Sequence, residues 1–121
     1  MPTAQTSQPV YKILADAAYE AAKSEGCVMG SADDLRDGFI HLSAGHQVAE
    51  TLAKHYPRQE DLLLLTVDAA RLGPGLKWEE SRGGDLFPHL YGPLPLEAIL
   101  SADALELDDD ERHILPEGVG A

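Results

Sequence analysis

The stretch Gly38-Phe39-Ile40-His41-Leu42-Ser43 offers the first side chains with chemistry to perform. It alternates, so in extended backbone His41 and Ser43 share one face with Phe39, while Ile40 and Leu42 take the other as the core face. An imidazole and a hydroxyl side by side can both donate and accept hydrogen bonds to one ligand. Each also has a structural reading. Ser43 stands where the following helix needs an N-cap, and His41 is equally readable as a half-buried ring tied to a backbone carbonyl.

Two later stretches carry further polar groups. Trp78-Glu79-Glu80-Ser81-Arg82-Gly83-Gly84-Asp85 places a stacking surface before an arginine, whose fork can meet a carboxylate or phosphate. The plainer alternative is a hairpin turn with a solvated Arg82. In an extended chain Glu79 and Glu80 point to opposite faces, so at most one joins a site. Phe87-Pro88-His89-Leu90-Tyr91-Gly92-Pro93 sets His89 and Tyr91 on a shared face, in a backbone that proline stiffens before any ligand arrives. Three of the seven aromatic residues, Trp78, Phe87 and Tyr91, fall within this region. That concentration suits a ring-binding pocket, and a local aromatic core would explain it nearly as well.

Other chemistries find less support. No two of the five histidines have the i, i+4 spacing of a helical zinc motif. A metal-dependent hydrolase would need His41, Glu79 and His89 to converge from three segments, so no metal is expected. There is no phosphate-binding loop, no G-x-G-x-x-G and no nucleophile elbow. Cys27, the single cysteine, cannot form an intrachain disulfide, which fits a reducing, cytoplasmic compartment.

These groups must be held by a small scaffold. The pattern predicts a strand over Val10–Leu14 and a helix over Ala17–Glu25, capped by Asp16 and stopped at Gly26. Cys27 to Asp37 reads as a loop, Gly38 to Ser43 as a strand, and Ala44 to Tyr56 as a helix ended by Pro57. Asp61 to Asp68 carries the continuous apolar run of a strand buried on both faces. Gly73-Pro74-Gly75 is a turn, and Leu76 to Glu80 another strand. The prolines of Leu86 to Leu96 argue against a regular helix and against a central strand. A last strand runs over Ala98 to Leu107.

The 121 residues and an apolar share of 44% fit one α+β domain with a core of its own, residues 10–107. Residues 1–9 read as a disordered lead-in, and residues 108–121 as an acidic, mobile tail in which Ile114 and Leu115 are the exceptions able to dock. No apolar run approaches the ~20 residues that span a bilayer. The net charge is −12, with −7 of it from Glu97 onward. Such a chain repels a phosphate backbone, so neither duplex nucleic acid nor membrane is expected as a partner.

The same segments resemble the family known as domain of unknown function 952. The resemblance rests on Tyr11-Lys12-Ile13, Gly38 to Ser43, Asp61 to Leu65, Val67-Asp68, Trp78-Glu79 and the long stretch Phe87 to Leu96. At the fold level that family looks like the ADP-ribosyltransferase superfamily, including the RNA 2′-phosphotransferases. The likeness implies two small, mostly antiparallel sheets with two or more helices around a cleft for NAD or a related nucleotide. His41-Leu42-Ser43 is similar to the His-x-Ser/Thr that meets the nicotinamide-side ribose, and Pro93 to Ile99 is similar to a late Pro-Pro-Glu-Ala-Ile type segment. On that resemblance His41 and Ser43 would hold a ribose, Trp78 or Tyr91 would stack on a ring, and Arg82 would meet the pyrophosphate. His89 would be a second anchor or general acid–base group. A late glutamate that polarises a ribose hydroxyl is assigned by no motif; Glu79 and Glu97 are candidates. The rival expectation is a non-catalytic module on the same fold that binds a small ligand or a protein.

Overall fold

The run Leu62-Leu63-Leu64-Leu65 lies at the centre of the computed structural model, which describes residues 9–30, 32–80, 84–116 and 119. Strand β4 (Leu62–Val67) pairs antiparallel with β1 (Val10–Ala15) on one side and with β8 (Ile99–Leu107) on the other. Strand β9 (His113–Ile114) continues this sheet to the order β1-β4-β8-β9. Alternation along β4 sends Leu62 and Leu64 to one face, and Leu63, Leu65 and Val67 to the other. Both faces are covered. Leu62 and Leu64 pack with Tyr11, Ile13 and Leu105 under Val48 and Leu52 of helix α3 (Val48–His55). Leu65 and Val67 pack with Val10, Leu14, Ile40, Leu42, Leu90 and Leu94. A half-buried sheet would show alternation; this strand is apolar at successive positions because it has two cores to fill.

The second core is closed by helix α1 (Asp16–Glu25), which adds Ala22 and Tyr19, and by two further sheets. One is the pair β2 (Cys27–Val28) with β7 (Leu94–Pro95). The other has three strands in the order β3-β6-β5, from β3 (Ile40–His41), β6 (Leu86–Leu90) and β5 (Leu76–Glu80). All named pairings are antiparallel. A short helix α2 (Ala32–Asp37) precedes β3. The protein is thus a small single α+β domain with antiparallel sheets and, among the described residues, three α-helices. Among the described residues, no helix is long and apolar enough to cross a membrane.

Several elements differ from the sequence reading, each for a local reason. The stretch expected as a loop, Cys27 to Asp37, holds β2 and α2 instead. A helix of six residues is too short to display the 3.6-residue period, and Leu35 on it is exposed, so no apolar stripe announced it. Asp16 is the first residue of α1 and not its cap; its N–H donates to the Asp61 carbonyl at 2.9 Å.

The proline-rich stretch contains the central strand of its sheet. Pro88 sits in the middle of β6, fully buried. Its carbonyl accepts from the Leu42 N–H at 3.0 Å. The nitrogen and carbonyl of one residue point the same way in an antiparallel strand, so the missing N–H faces the β3 side. Strand β3 ends at His41; Leu42, the next residue, keeps this one bond to Pro88, and Ser43 turns to pair with Tyr11 of β1. The ladder therefore forgoes a single bond, at its last rung, opposite Leu42.

Residues 1–8 lie outside those described. The segment after Leu107 was expected to stand apart from the domain. Instead Asp108 accepts from the Arg112 and Asp110 N–H groups through its side chain, and this turn returns β9 onto β8. The Arg112 amide, above all, lowers the Asp108 pKa from its ordinary value. His113 Nε2 lies 2.7 Å from the Gln59 carbonyl, and Leu115 and Val119 pack against the α3-side core. Leu115 is thus one of the two tail side chains read as able to dock, while the other, Ile114, stays half exposed on β9. Truncation after Leu107 is therefore expected to lower stability by about 1–3 kcal/mol, the scale of one or two partly buried apolar side chains. An unchanged melting midpoint for the truncated chain would show that β9 and its anchor contribute nothing.

Candidate functional site

Strand pairing brings the two histidines together. Register sets His41 of β3 directly opposite His89 of β6, so the two rings share a face, with centroids 5.6 Å apart. Phe39, just before β3, fills the space between them. Its ring stacks on His89 at 4.1 Å, and is tilted against His41 at 4.7 Å and Tyr91 at 5.2 Å. Phe39 and His41, about fifty residues from His89 and Tyr91 in sequence, form one cluster with them.

Each histidine is held by a carboxylate. His41 Nδ1 lies 2.5 Å from Asp34 Oδ1, and its Nε2 lies 3.1 Å from Asp37 Oδ2. Asp34 and Asp37 come from α2, which ends at Gly38 with that residue's N–H on the Asp34 carbonyl. Gly38 adopts φ +86°, a left-handed stop that suits glycine and swings the chain into β3. The ring of His41 remains 40% exposed while the Asp34 side chain is 2% exposed. Asp34 is tied down from beneath: Lys12 Nζ donates to its Oδ2 at 2.8 Å and to the His41 carbonyl at 3.2 Å, and the His41 backbone N–H donates to Oδ1 at 3.1 Å. Lys12 is itself 3% exposed. A fully buried charge needs this kind of pairing. Gly30 makes room for it, since a Cβ there would come within 2.7 Å of the Asp34 side chain.

The second histidine has a different holder. His89 Nδ1 lies 2.8 Å from Glu79 Oε1, and the Tyr91 hydroxyl donates to that same oxygen at 2.8 Å. The His89 ring is nearly buried, whereas Glu79 is 38% exposed. With Nδ1–H given to Glu79, a neutral His89 carries its lone pair on Nε2. At His41 both ring nitrogens face carboxylates, the buried Asp34 on Nδ1 and the more exposed Asp37 on Nε2. The arrangement can thus present one histidine as a proton donor and the other as a proton acceptor, around an aromatic face.

The hydrogen bonds to Glu79, from His89 first and Tyr91 next, lower its pKa below the ordinary 4.5. The same contact raises the Tyr91 pKa above 10.0. The sign for stability follows. A carboxyl with a depressed folded pKa contributes stability that is present above 4.5 and is lost as pH falls through the depressed value. Glu79→Gln is therefore expected to lower stability at neutral pH and to flatten the acid limb of the stability curve below 4.5. Parallel acid limbs for the variant and the parent protein would contradict this coupling.

The remaining sequence candidates lie elsewhere. Ser43 is buried; its backbone pairs with Tyr11, and its hydroxyl lies 3.3 Å from the Thr51 hydroxyl on α3. It does not cap the helix. A 3-10 turn, Gly45–Gln47, opens it, and the Gln47 side chain accepts from the Ala44 N–H at 2.8 Å. Trp78 pairs with Pro88, which puts it on the opposite face of the sheet from His89, half exposed. Arg82 lies outside the described residues. Of the two late glutamates, Glu79 joins the cluster; Glu97 is exposed on the 3-10 turn Leu96–Ala98. Lys12, Asp34 and Asp37 were not singled out from the sequence. A signal existed for the first: Lys12 interrupts the apolar run Val10-Tyr11-Lys12-Ile13-Leu14 on an inward position, and such a lysine requires a buried partner. Among the described residues, no group of three or more His, Cys, Asp or Glu side chains is arranged to hold a metal ion.

Comparisons with known proteins agree on this frame. The chain is similar to the Caulobacter crescentus protein CC0527. Its crystal structure is 50% identical over 93% of this chain and 99% of that one, with a TM-score of 0.88. Its solution NMR structure is 53% identical over 86% and 90% of the two chains, with a TM-score of 0.78. No curated protein matches. The family model described as protein of unknown function (DUF952) matches residues 13–102, which contain Asp34, His41, Glu79, His89 and Tyr91, and the chain belongs to that family.

Proposed function

We propose that this chain is an ADP-ribosyltransferase-like domain whose Phe39–His41–His89 cluster binds NAD or a related small nucleotide and acts on it as a transferase. The observation that carries the reading is the facing pair of histidines, each oriented by its own carboxylate around one aromatic ring. Phe39 and Tyr91, tilted by 48° to each other, offer two aromatic faces for a ring, in place of the Trp78 expected to share that task. Glu79, held anionic beside them, suits a ring or sugar carbon that carries or develops positive charge. It takes the place of the late glutamate that the sequence left unassigned. A ligand hydroxyl or leaving group displaces the partly exposed Asp37 from His41 Nε2 and takes over its hydrogen bond, and His89 accepts the proton of the attacking group. Arg36, whose Nε lies 3.2 Å from Asp37 Oδ1, and Lys77, set opposite His89, are the basic side chains beside this cluster that a phosphate would meet.

The test is a titration of the purified protein with NAD, ADP-ribose and AMP, following the His41 and His89 ring resonances and the release of nicotinamide. Ring shifts with nicotinamide release support the transferase. Ring shifts with NAD left intact support a non-catalytic small-ligand module on the same cluster. Rings that ignore all three compounds overturn the reading.

A further inference from the structure

The three-stranded sheet ends in an open edge. Strand β5 is the last strand in the order β3-β6-β5, and among the described residues nothing pairs with its outer side. Two observations fix which backbone groups point outward. The Gly75 carbonyl accepts from Tyr91, so Gly75, and with it Lys77 and Glu79, address β6. Pro88 addresses β3, so its partner Trp78 is a pair without hydrogen bonds on the β6 side. The N–H and C=O of Trp78 therefore face out from the edge, as do the Leu76 carbonyl and the Glu80 N–H. The Leu76 N–H is already held by Gly73.

We propose that this edge pairs with β5 of a second copy of the chain, antiparallel and centred on Trp78, to join two three-stranded sheets into one of six strands. A two-fold axis at Trp78 sets Trp78 against Trp78, Leu76 against Glu80, and Lys77 against Glu79. The outward groups then match: two bonds between the Trp78 residues, and one from each Glu80 N–H to the partner's Leu76 carbonyl. Lys77 and Glu79 form the closely spaced pair without backbone bonds, where opposite side chains touch. The edge sequence Lys77-Trp78-Glu79 is thus complementary in charge to its own reverse. On the other face Trp78 and Leu86, 47% and 54% exposed, form an apolar pair at the rim. Two-fold pairing sets the two Trp78 side chains side by side on that face, where each shields part of the other, which gives a role to the chain's one tryptophan standing half in water. The pairing also carries the partner's Lys77 to Glu79, the carboxylate that holds His89, so each cluster gains a cation from the other copy. The dimer does not rest on the nucleotide reading.

Sedimentation of the full chain over micromolar to submillimolar concentrations tests the pairing, with fluorescence of Trp78, the sole tryptophan, followed alongside. A two-chain mass is expected at the upper end, with Trp78 emission moving to the blue as mass rises. The Trp78 amide should become protected from hydrogen exchange in the same range. Lys77→Glu sets like charges opposite each other twice and is expected to weaken association about tenfold. A monomer throughout overturns the proposal. So does a dimer whose Trp78 amide exchanges freely, or one whose affinity Lys77→Glu leaves unchanged.

Discussion

Asp34→Ala is expected to destabilise the protein by about 3–5 kcal/mol, because it leaves the buried Lys12 ammonium without its counter-charge. Lys12 is 3% exposed and cannot reach water without opening the interface between β1 and α2. Its remaining contact, the His41 carbonyl at 3.2 Å, is one acceptor for a group with three donors. The loss also frees both donors that meet Asp34 Oδ1, the ring and the backbone N–H of His41. Lys12→Met should cost less, since Asp34 would keep those two donors. The double change Lys12→Met with Asp34→Leu removes both charges, and is expected to recover most of the loss, as apolar replacements of buried pairs commonly do. Urea denaturation of the four proteins measures these differences. An Asp34→Ala variant within about 1 kcal/mol of the parent would show that water or another group takes over the pairing.

Leu42→Ala carries the second large effect, and its neighbour supplies the contrast. Leu42 is 3% exposed and packs with Ile40, Leu90 and Leu94 between the sheets. Cutting it back opens a cavity and should cost about 2–5 kcal/mol. His41, one residue earlier, faces the other way. Its removal takes one donor from Asp34 Oδ1 but leaves the backbone N–H in place, a loss of about 1–3 kcal/mol for a bond to a charged group. Ligand affinity per folded molecule should respond in the opposite sense. His41→Ala is expected to weaken binding of the nucleotide by about tenfold, the value of a lost hydrogen bond to a buried hydroxyl. Leu42→Ala should leave it nearly unchanged. Thermal melts and titrations of both variants check the pair. Equal losses of affinity would mean that the strand as a whole, and not the imidazole, sets binding.

The core of the fold was legible in the sequence because hydrophobic periodicity is a local property. The unbroken run at Leu62 to Leu65 marked a strand with two covered faces, and the alternation from Gly38 to Ser43 put His41 on the face away from Ile40 and Leu42. Leu76 to Glu80 was readable as a strand by the same means. Short elements escaped, since α2 and β2 have too few residues to show a period. Proline misled at Pro88, because its cost depends on whether a neighbouring strand asks for its N–H. That neighbour is more than forty residues away, and at Leu42, just past the end of β3, only the last bond of the ladder is forgone.

The residue types of the cluster were likewise present in the sequence, and His41, His89 and Tyr91 stood out by spacing alone. Their partners did not. Register decided that His41 faces His89, since a slip of one residue would have sent His89 to the Trp78 side of the sheet. Only the fold brought Lys12 of β1 under Asp34 of α2, and only there does an inward lysine become the support of a site. Alternation along one strand says which side chains share a face, while the identity of what lies across from that face is a property of chain segments that sequence keeps far apart.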